Sequence, residues 1–300
     1  MALLRQPLGK MSCIGQEIRQ IPKRESSNCQ HIPMPDSDFR SPDGGNENPR
    51  FRRGVRAGHP ADVEGGGRAL DFANAAAVLE RSLGDEGTDA WTPVGFARRR
   101  DLEIGILSAW ADTLGLWMPD PAMQGIERGR MEHDPIYVGT PPVRLVKLTR
   151  GQRYGFYPHA DPSLVSGMVS DWFGLRPGTP LQYLRRMALM HELFPALEHR
   201  LEGFALVEEQ FRIVISQRFV DPVPASAEAI ADFFNGAGFD QLLPEAWYRA
   251  ADNVAIFDTG TTNVLEFAGR LFPIDIMPIR PSGIMLERIW EALRVPYSSR

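Results

Sequence analysis

The chain has 300 residues, 43% of them hydrophobic, with 38 Asp and Glu against 33 Lys and Arg and a net charge of −5. That length can bury a sizeable core, and an acidic balance excludes a general electrostatic pull toward nucleic acid. No apolar run approaches the roughly 18 residues needed to cross a bilayer, and Met1-Ala2-Leu3-Leu4-Arg5 is too brief for a signal-peptide core, so a cytoplasmic protein is expected.

From Met1 to Gly67 the chain is rich in Pro, Gly, Ser, Asn and charge with no sustained period, so residues 1–67 are expected to be a disordered extension that cannot repay the entropy of ordering. Cys13 and Cys29 both fall there, and Cys29-Gln30-His31 lacks the further ligands of a zinc site. The basic run Arg50-Phe51-Arg52-Arg53-Gly54-Val55-Arg56 reads as a solvated tail or a phosphate contact. A folded domain is expected over 68–300. Its first helices fall at about Arg68 to Leu83 and Val94 to Trp117, the second with Leu102, Ile106, Trp110 and Leu114 on one face.

A strand pair follows, Pro135 to Val138 and Val143 to Thr149, joined through Gly139-Thr140-Pro141-Pro142. Lys147 lies among apolar neighbours in the second strand. It either faces solvent or neutralises the α and β phosphates of ATP. Upstream, Gly129-Arg130-Met131-Glu132-His133 holds one glycine where a phosphate-covering loop would use three. Thr179-Pro180 reads as an N-cap followed by proline at the first helical position, and the helix runs through Leu193 until Pro195 ends it. Glu192 on that helix is the candidate ion-pair partner of Lys147, with Glu198 a second choice beyond the proline. His191-Glu192 opens like a zinc-protease helix, but Pro195 occupies the second histidine position. A strand from Phe211 to Gln217, a connection at Arg218-Phe219-Val220-Asp221-Pro222 and a helix from Ser226 to Gly236 complete the middle of the chain.

The chemistry concentrates near the end. Val254-Ala255-Ile256-Phe257 reads as a short buried strand that delivers Asp258 to a loop, where a carboxylate can accept the proton of an attacking hydroxyl. Asn263 opens a second strand, Val264 to Phe267, and Ala268-Gly269-Arg270 turns the chain into Leu271 to Ile274, bringing Asp275 back beside Asn263. A magnesium ion wants hard oxygen ligands and keeps several waters, so an amide oxygen, a carboxylate and nucleotide phosphates form a sufficient set. The competing reading is that Asp and Asn sit here only because they tolerate turns. Removal of Asp275 is expected to relieve charge crowding, with stability unchanged or slightly higher.

From about Asp101 to Arg280 the chain resembles the polyvalent-protein kinase domain family of phages and mobile elements. The resemblance rests on Ala109-Trp110-Ala111, Gly129 to His133, Arg144 to Thr149, Thr179 to Leu184, Ile213 to Gln217 and the block from Asp258 to Asp275, in that order. It implies an α+β, protein-kinase-like two-lobed fold with ATP and Mg2+ in the cleft, a small lobe of about 95–217 and a shortened, helical large lobe of about 218–300. It gives Lys147 the phosphate-lysine role, Asp258 the base, and Asn263 and Asp275 the metal; Glu192 and Gln217 complete the nucleotide site. The chain departs from the pattern in three places. No His-Arg precedes Asp258, Ile276-Met277 follows Asp275 instead of Phe-Gly, and Thr259-Gly260-Thr261-Thr262 carries no cation. Two functions follow as expectations: a phosphotransferase acting on a protein segment, a nucleic-acid end or a small molecule, or an inactive nucleotide- or partner-binding module of a mobile element.

Overall fold

A computed structural model describes residues 70–83, 92–119, 133–138, 144–151, 153–160, 173–219 and 223–294. The extension at 1–67, with both cysteines and the Arg50–Arg56 cluster, lies outside these residues, as do Gly129 to Glu132 and positions 220–222 of the expected hinge.

The described chain forms α1 (Phe72–Leu83), α2 (Pro93–Leu114), β1 (His133–Val138), β2 (Arg144–Thr149), β3 (Phe156–His159), β4 (Gly174–Pro177), α3 (Pro180–Leu193), β5 (Arg200–Val207), β6 (Gln210–Arg218), β7 (Val223–Pro224), α4 (Ala227–Gly236), β8 (Asp240–Leu243), β9 (Ala246–Arg249), β10 (Val254–Phe257), β11 (Val264–Phe267), β12 (Arg270–Pro273), β13 (Met277–Ile279) and α5 (Gly283–Arg294). The mixed α/β composition expected from sequence is therefore present. The paired strands make antiparallel sheets in the orders β1-β2-β6-β5, β13-β10-β9-β8, β12-β11-β7 and β3-β4.

The region after the hinge differs from expectation. The resemblance implies a helical lobe and the sequence only three strands there, of which β10, β11 and β12 are present; residues 223–294 hold seven strands and, as helices, α4 and α5. Its apolar runs are short and punctuated by turn residues, a strand signature that outweighs helical spacing. Asn253, at φ 55, and the pair Ala268 and Gly269, at φ 50 and 71, are such punctuation. Two consecutive left-handed residues make the hairpin turn whose twist matches its strands.

Helix α2 is turned part-way from the predicted face, of which Ile106 and Trp110 still pack against the main core. Leu102 and Leu114 are exposed, while Glu103, Leu107 and Ala111 are buried. The acid goes inward because it has work there: Glu103 Oε2 accepts from the Leu181 backbone N at 2.8 Å and Oε1 from Arg99 Nε at 2.8 Å. A buried carboxylate with both oxygens bonded, placed at the N-terminus of α3, is stabilised by the unpaired amides and the helix dipole. Thr179 and Gln182 complete a reciprocal capping box at that end. Helix α3 is therefore held at its start by three side chains, which fixes the faces it shows to α1 and β13.

Two strands are buried on both sides. Along β10, Val254 and Ile256 enter the main core with α1, α3 and α4, whereas Ala255 and Phe257 enter a second core with α5. The period of two thus sends alternate residues to different cores. Strand β6 does the same: Phe211, Ile213 and Ile215 join the main core, and Val214 packs with Leu148 and Ala205 on the other face.

Candidate functional site

That alternation decides the direction of Lys147. It pairs across β2–β6 with Ile215, a main-core residue, while its neighbour Leu148 belongs to the opposite face. Cross-strand partners share a face, so Lys147 points inward, and it is only 6% exposed. The solvent-facing alternative is excluded. A buried ammonium needs a counter-charge. Its Nζ lies 3.4 Å from Asp275 Oδ1, a residue 128 positions later.

Two ladders carry the other candidates to the same place. In β10–β13 the pair Phe257↔Met277 leaves Asp258 one residue beyond it on one strand and Asp275 two residues before it on the other. In β11–β12 the pair Val264↔Pro273 leaves Asn263 and Ile274 adjacent, and Ile274 N donates to Asn263 O at 2.8 Å. The sequence-predicted return of Asp275 to Asn263 is present in the backbone.

The loop between these strands is pinned by its own polar groups. Asp258 has φ 59, a left-handed conformation that Asp tolerates better than most residues. Asn263 Nδ2 donates to the Asp258 carbonyl at 2.9 Å, and Trp247 Nε1 donates to Thr259 Oγ1 at 2.9 Å. Asn263 Oδ1 accepts a long hydrogen bond from Thr262 Oγ1 at 3.5 Å, which leaves its second lone pair for a further ligand.

Asp275 has basic neighbours besides Lys147. His133 Nδ1 is 4.0 Å from Asp275 Oδ1, and His133 Nε2 is 2.8 Å from the Tyr183 hydroxyl on α3. Arg186, also buried on α3, stacks over the Tyr183 ring with 5.2 Å to its centroid. Burial of Asp275 works to raise its pKa, but Lys147, His133 and Arg186 together outweigh it and hold the carboxyl well below the usual carboxylate range. Asp275 is ionised at neutral pH.

Glu192 does not join this group. It lies nine residues beyond Tyr183, about two and a half turns at 3.6 residues per turn, and so faces the opposite way. Its carboxylate is exposed and bonds Arg280 at 2.8 Å. Glu198 is 3.6 Å from Arg144 and 3.9 Å from Arg200. The expected helical glutamate is thus replaced beside Lys147 by Asp275 itself, with Tyr183 and Arg186 on the inward face of α3. Sequence reasoning missed Tyr183, Arg186 and His133. The helical phase of Leu184 and Met187 could have marked Tyr183 as inward, but nothing local to His133 marks it.

Gln217 ends β6 and is buried. Its Oε1 has no hydrogen-bond partner among the described residues, and neither has either ring nitrogen of the buried His199 beside it. Burial, then Lys147 and His191, push the His199 pKa down to about 3, against the opposing effects of Asp275 and the Gln217 amide. His199 is neutral.

The donor set suits a hard cation: Asp275 offers a carboxylate and Asn263 an amide oxygen. Among the described residues no three His, Cys, Asp or Glu side chains are grouped to hold a metal. An ion at this place must therefore draw most ligands from phosphate and water, as Mg2+ at nucleotide sites does.

Residues 176–278 match the family model described as serine/threonine/tyrosine kinase found in polyvalent proteins. The matched segment supports a polyvalent-protein kinase domain. It runs from β4 to β13 and contains Asp258, Asn263 and Asp275. It begins downstream of Lys147 and His133, which join the site through the fold. No curated protein and no solved structure matches the chain. No helix among the described residues is long and apolar enough to cross a membrane.

Proposed function

We propose that the protein is an ATP- and Mg2+-dependent phosphotransferase on a kinase-like two-lobed scaffold. The sheet of β1, β2, β5 and β6 with α3 corresponds to the small lobe, and the strands from β7 onward with α4 and α5 belong to the large lobe. The observation that carries the reading is the 3.4 Å contact of Lys147 with Asp275, at the point where the β10–β13 and β11–β12 registers also gather Asp258 and Asn263. Those four residue types form the phosphate-lysine, base and metal-ligand set of kinase chemistry.

In this reading Lys147 binds the nucleotide phosphates, and Asp275 and Asn263 would hold the ion, whose chemistry is to offset phosphate charge. Asp258 takes the proton of the acceptor hydroxyl as its oxygen bonds the γ-phosphorus and the bond to ADP breaks. Tyr183, His133 and Arg186 orient Asp275.

The competing reading, a nucleotide- or partner-binding module without turnover, is favoured by the absence, among the described residues, of a glutamate paired with Lys147 and by the lack of any cation from Thr259 to Thr262. Asp258→Asn separates the two. With radiolabelled ATP, Mg2+ and a host-cell lysate, transfer or slow hydrolysis by the wild type should fall about 10²- to 10⁴-fold in the variant. The Mg2+-ATP thermal shift should persist in both proteins. Labelling equal in the two proteins removes Asp258 from the mechanism, and a thermal shift with no labelling in either supports the module.

A further inference from the structure

The loop from Asp258 to Asn263 has a second neighbour that phosphate chemistry leaves unused. A cavity of about 270 Å³ opens against Gly260 and Thr261, with Ala227 and Ile230 of α4 and Pro244 and Glu245 of the β8–β9 turn among its walls. That volume lies just below the usual range for small-molecule pockets, about 300–1,000 Å³. It suits one side chain or a small amine and is too small for a nucleotide.

Glu245 is the only ionisable side chain of the described lining, and its carboxylate makes no hydrogen bond or ion pair among the described residues. The turn that carries it is tied to the loop, because Thr259 N donates to Glu245 O at 3.2 Å. The carboxylate lies directly over Gly260: a Cβ on that glycine would sit 3.1 Å from Oε1 and 3.3 Å from Cδ. Gly260 is not among the residues with positive φ. Its backbone therefore does not require glycine, and a Cβ there would press on the Glu245 carboxylate and shift it by a few tenths of an ångström.

No cation stands among the described lining residues. Thr259 to Thr262 contain no Lys, Arg or His, and the nearby indole donor, Trp247 Nε1, is committed to Thr259 Oγ1. Ile230, Ala227 and Pro244 supply apolar wall for the methylene stem of a long cationic side chain. An unpaired carboxylate over a hollow whose other described walls are apolar or neutral polar is a site for a cation.

We propose that this cavity binds a cationic group of the phosphoryl acceptor, a guanidinium or ammonium on a short aliphatic stem, with Glu245 as its counter-charge. The word acceptor rests on the phosphotransfer reading, because the cavity borders the loop that leads from Asp258 to Asn263. The cation site rests on the cavity and Glu245 alone.

The test uses the full chain and four probes: agmatine, spermidine, an eight-residue peptide with two arginines before a serine, and the same peptide with glutamates in their place. Binding is measured by calorimetry at low and moderate salt, and the Mg2+-ATP thermal shift is measured in parallel. At least one cationic probe should bind, more weakly as salt rises, and Glu245→Gln should weaken it about fivefold or more. Glu245 is exposed, so the variant should fold and keep its Mg2+-ATP shift. Gly260→Ala, which displaces the carboxylate, should weaken the same probe. The peptide and free-amine arms distinguish a protein acceptor from a small molecule. Absence of binding by every cationic probe, binding that Glu245→Gln leaves unchanged, or equal binding of the glutamate peptide overturns the proposal. Cation binding with no Mg2+-ATP shift refutes the phosphotransfer reading and upholds the cation site.

Discussion

His199 gives the most quantitative handle on the buried cluster behind Lys147. It is 2% exposed with both ring nitrogens unbonded among the described residues, so folding holds it neutral. Its pKa falls from 6.5 in the unfolded chain to about 3 in the native state, through burial first and then Lys147 and His191. As pH drops below 6.5 the unfolded chain takes up a proton that the native state refuses. The stability contributed by this group is therefore complete above 6.5 and declines as pH falls toward 3. At pH 5 the linkage relation gives RT ln(1 + 10^1.5) less a negligible native term, about 2 kcal/mol lost relative to pH 8. Asp275, whose pKa is depressed below the ordinary carboxylate value, loses its contribution only at still lower pH and does not interfere. Urea unfolding of the wild type and His199→Leu at pH 8 and pH 5 isolates the effect, since the remaining groups titrate in both proteins. The pH-dependent loss should be smaller in the variant by about 2 kcal/mol. Equal losses in the two proteins would refute the reasoning, because they would show that His199 is already solvated or paired.

Glu103→Ala removes the acceptor of the Leu181 amide and of Arg99, and should cost about 3 kcal/mol in urea unfolding. Glu103→Gln, which keeps an acceptor for Leu181, should recover roughly half of that loss. Asp275→Asn should abolish the Mg2+-dependent part of nucleotide binding in calorimetry. It should also lower stability by roughly 1–3 kcal/mol, a figure discounted because the Asp275 side chain is 38% exposed. That reverses the sequence-based expectation of unchanged or higher stability, and Lys147→Met on the same background should restore most of the loss.

What the sequence made legible was whatever a single element encodes. Thr179-Pro180 announces the start of α3, Ser226 caps α4, and Val254 to Asp275 spells out a strand, a loop and a hairpin whose residues meet as expected. The errors arose wherever a second element decides the outcome. The face of α2 was misread because Leu102 and Leu114 look like core residues until the capping need of α3 draws Glu103 inward. Glu192 was misassigned for a related reason: an acid on a helix is a candidate partner only if its phase matches that of the strand lysine, and its phase is set by packing.

The partner of Lys147 follows from the same logic. In the sequence Asp275 had one role, as a metal ligand, and Lys147 needed another acid to hold it. The fold joins the two requirements at one carboxylate: Asp275 neutralises a buried ammonium and, in the proposed phosphotransferase, would serve an ion when nucleotide phosphates take over Lys147. A glutamate on α3 would compete for that lysine, whereas Tyr183 bonds the His133 beside Asp275 and the charge of Arg186 favours the ionised carboxylate. In the proposed phosphotransferase the pairing of Lys147 with Asp275 takes the place of a helical acid, and phosphates that drew Lys147 away would free the carboxylate for the metal.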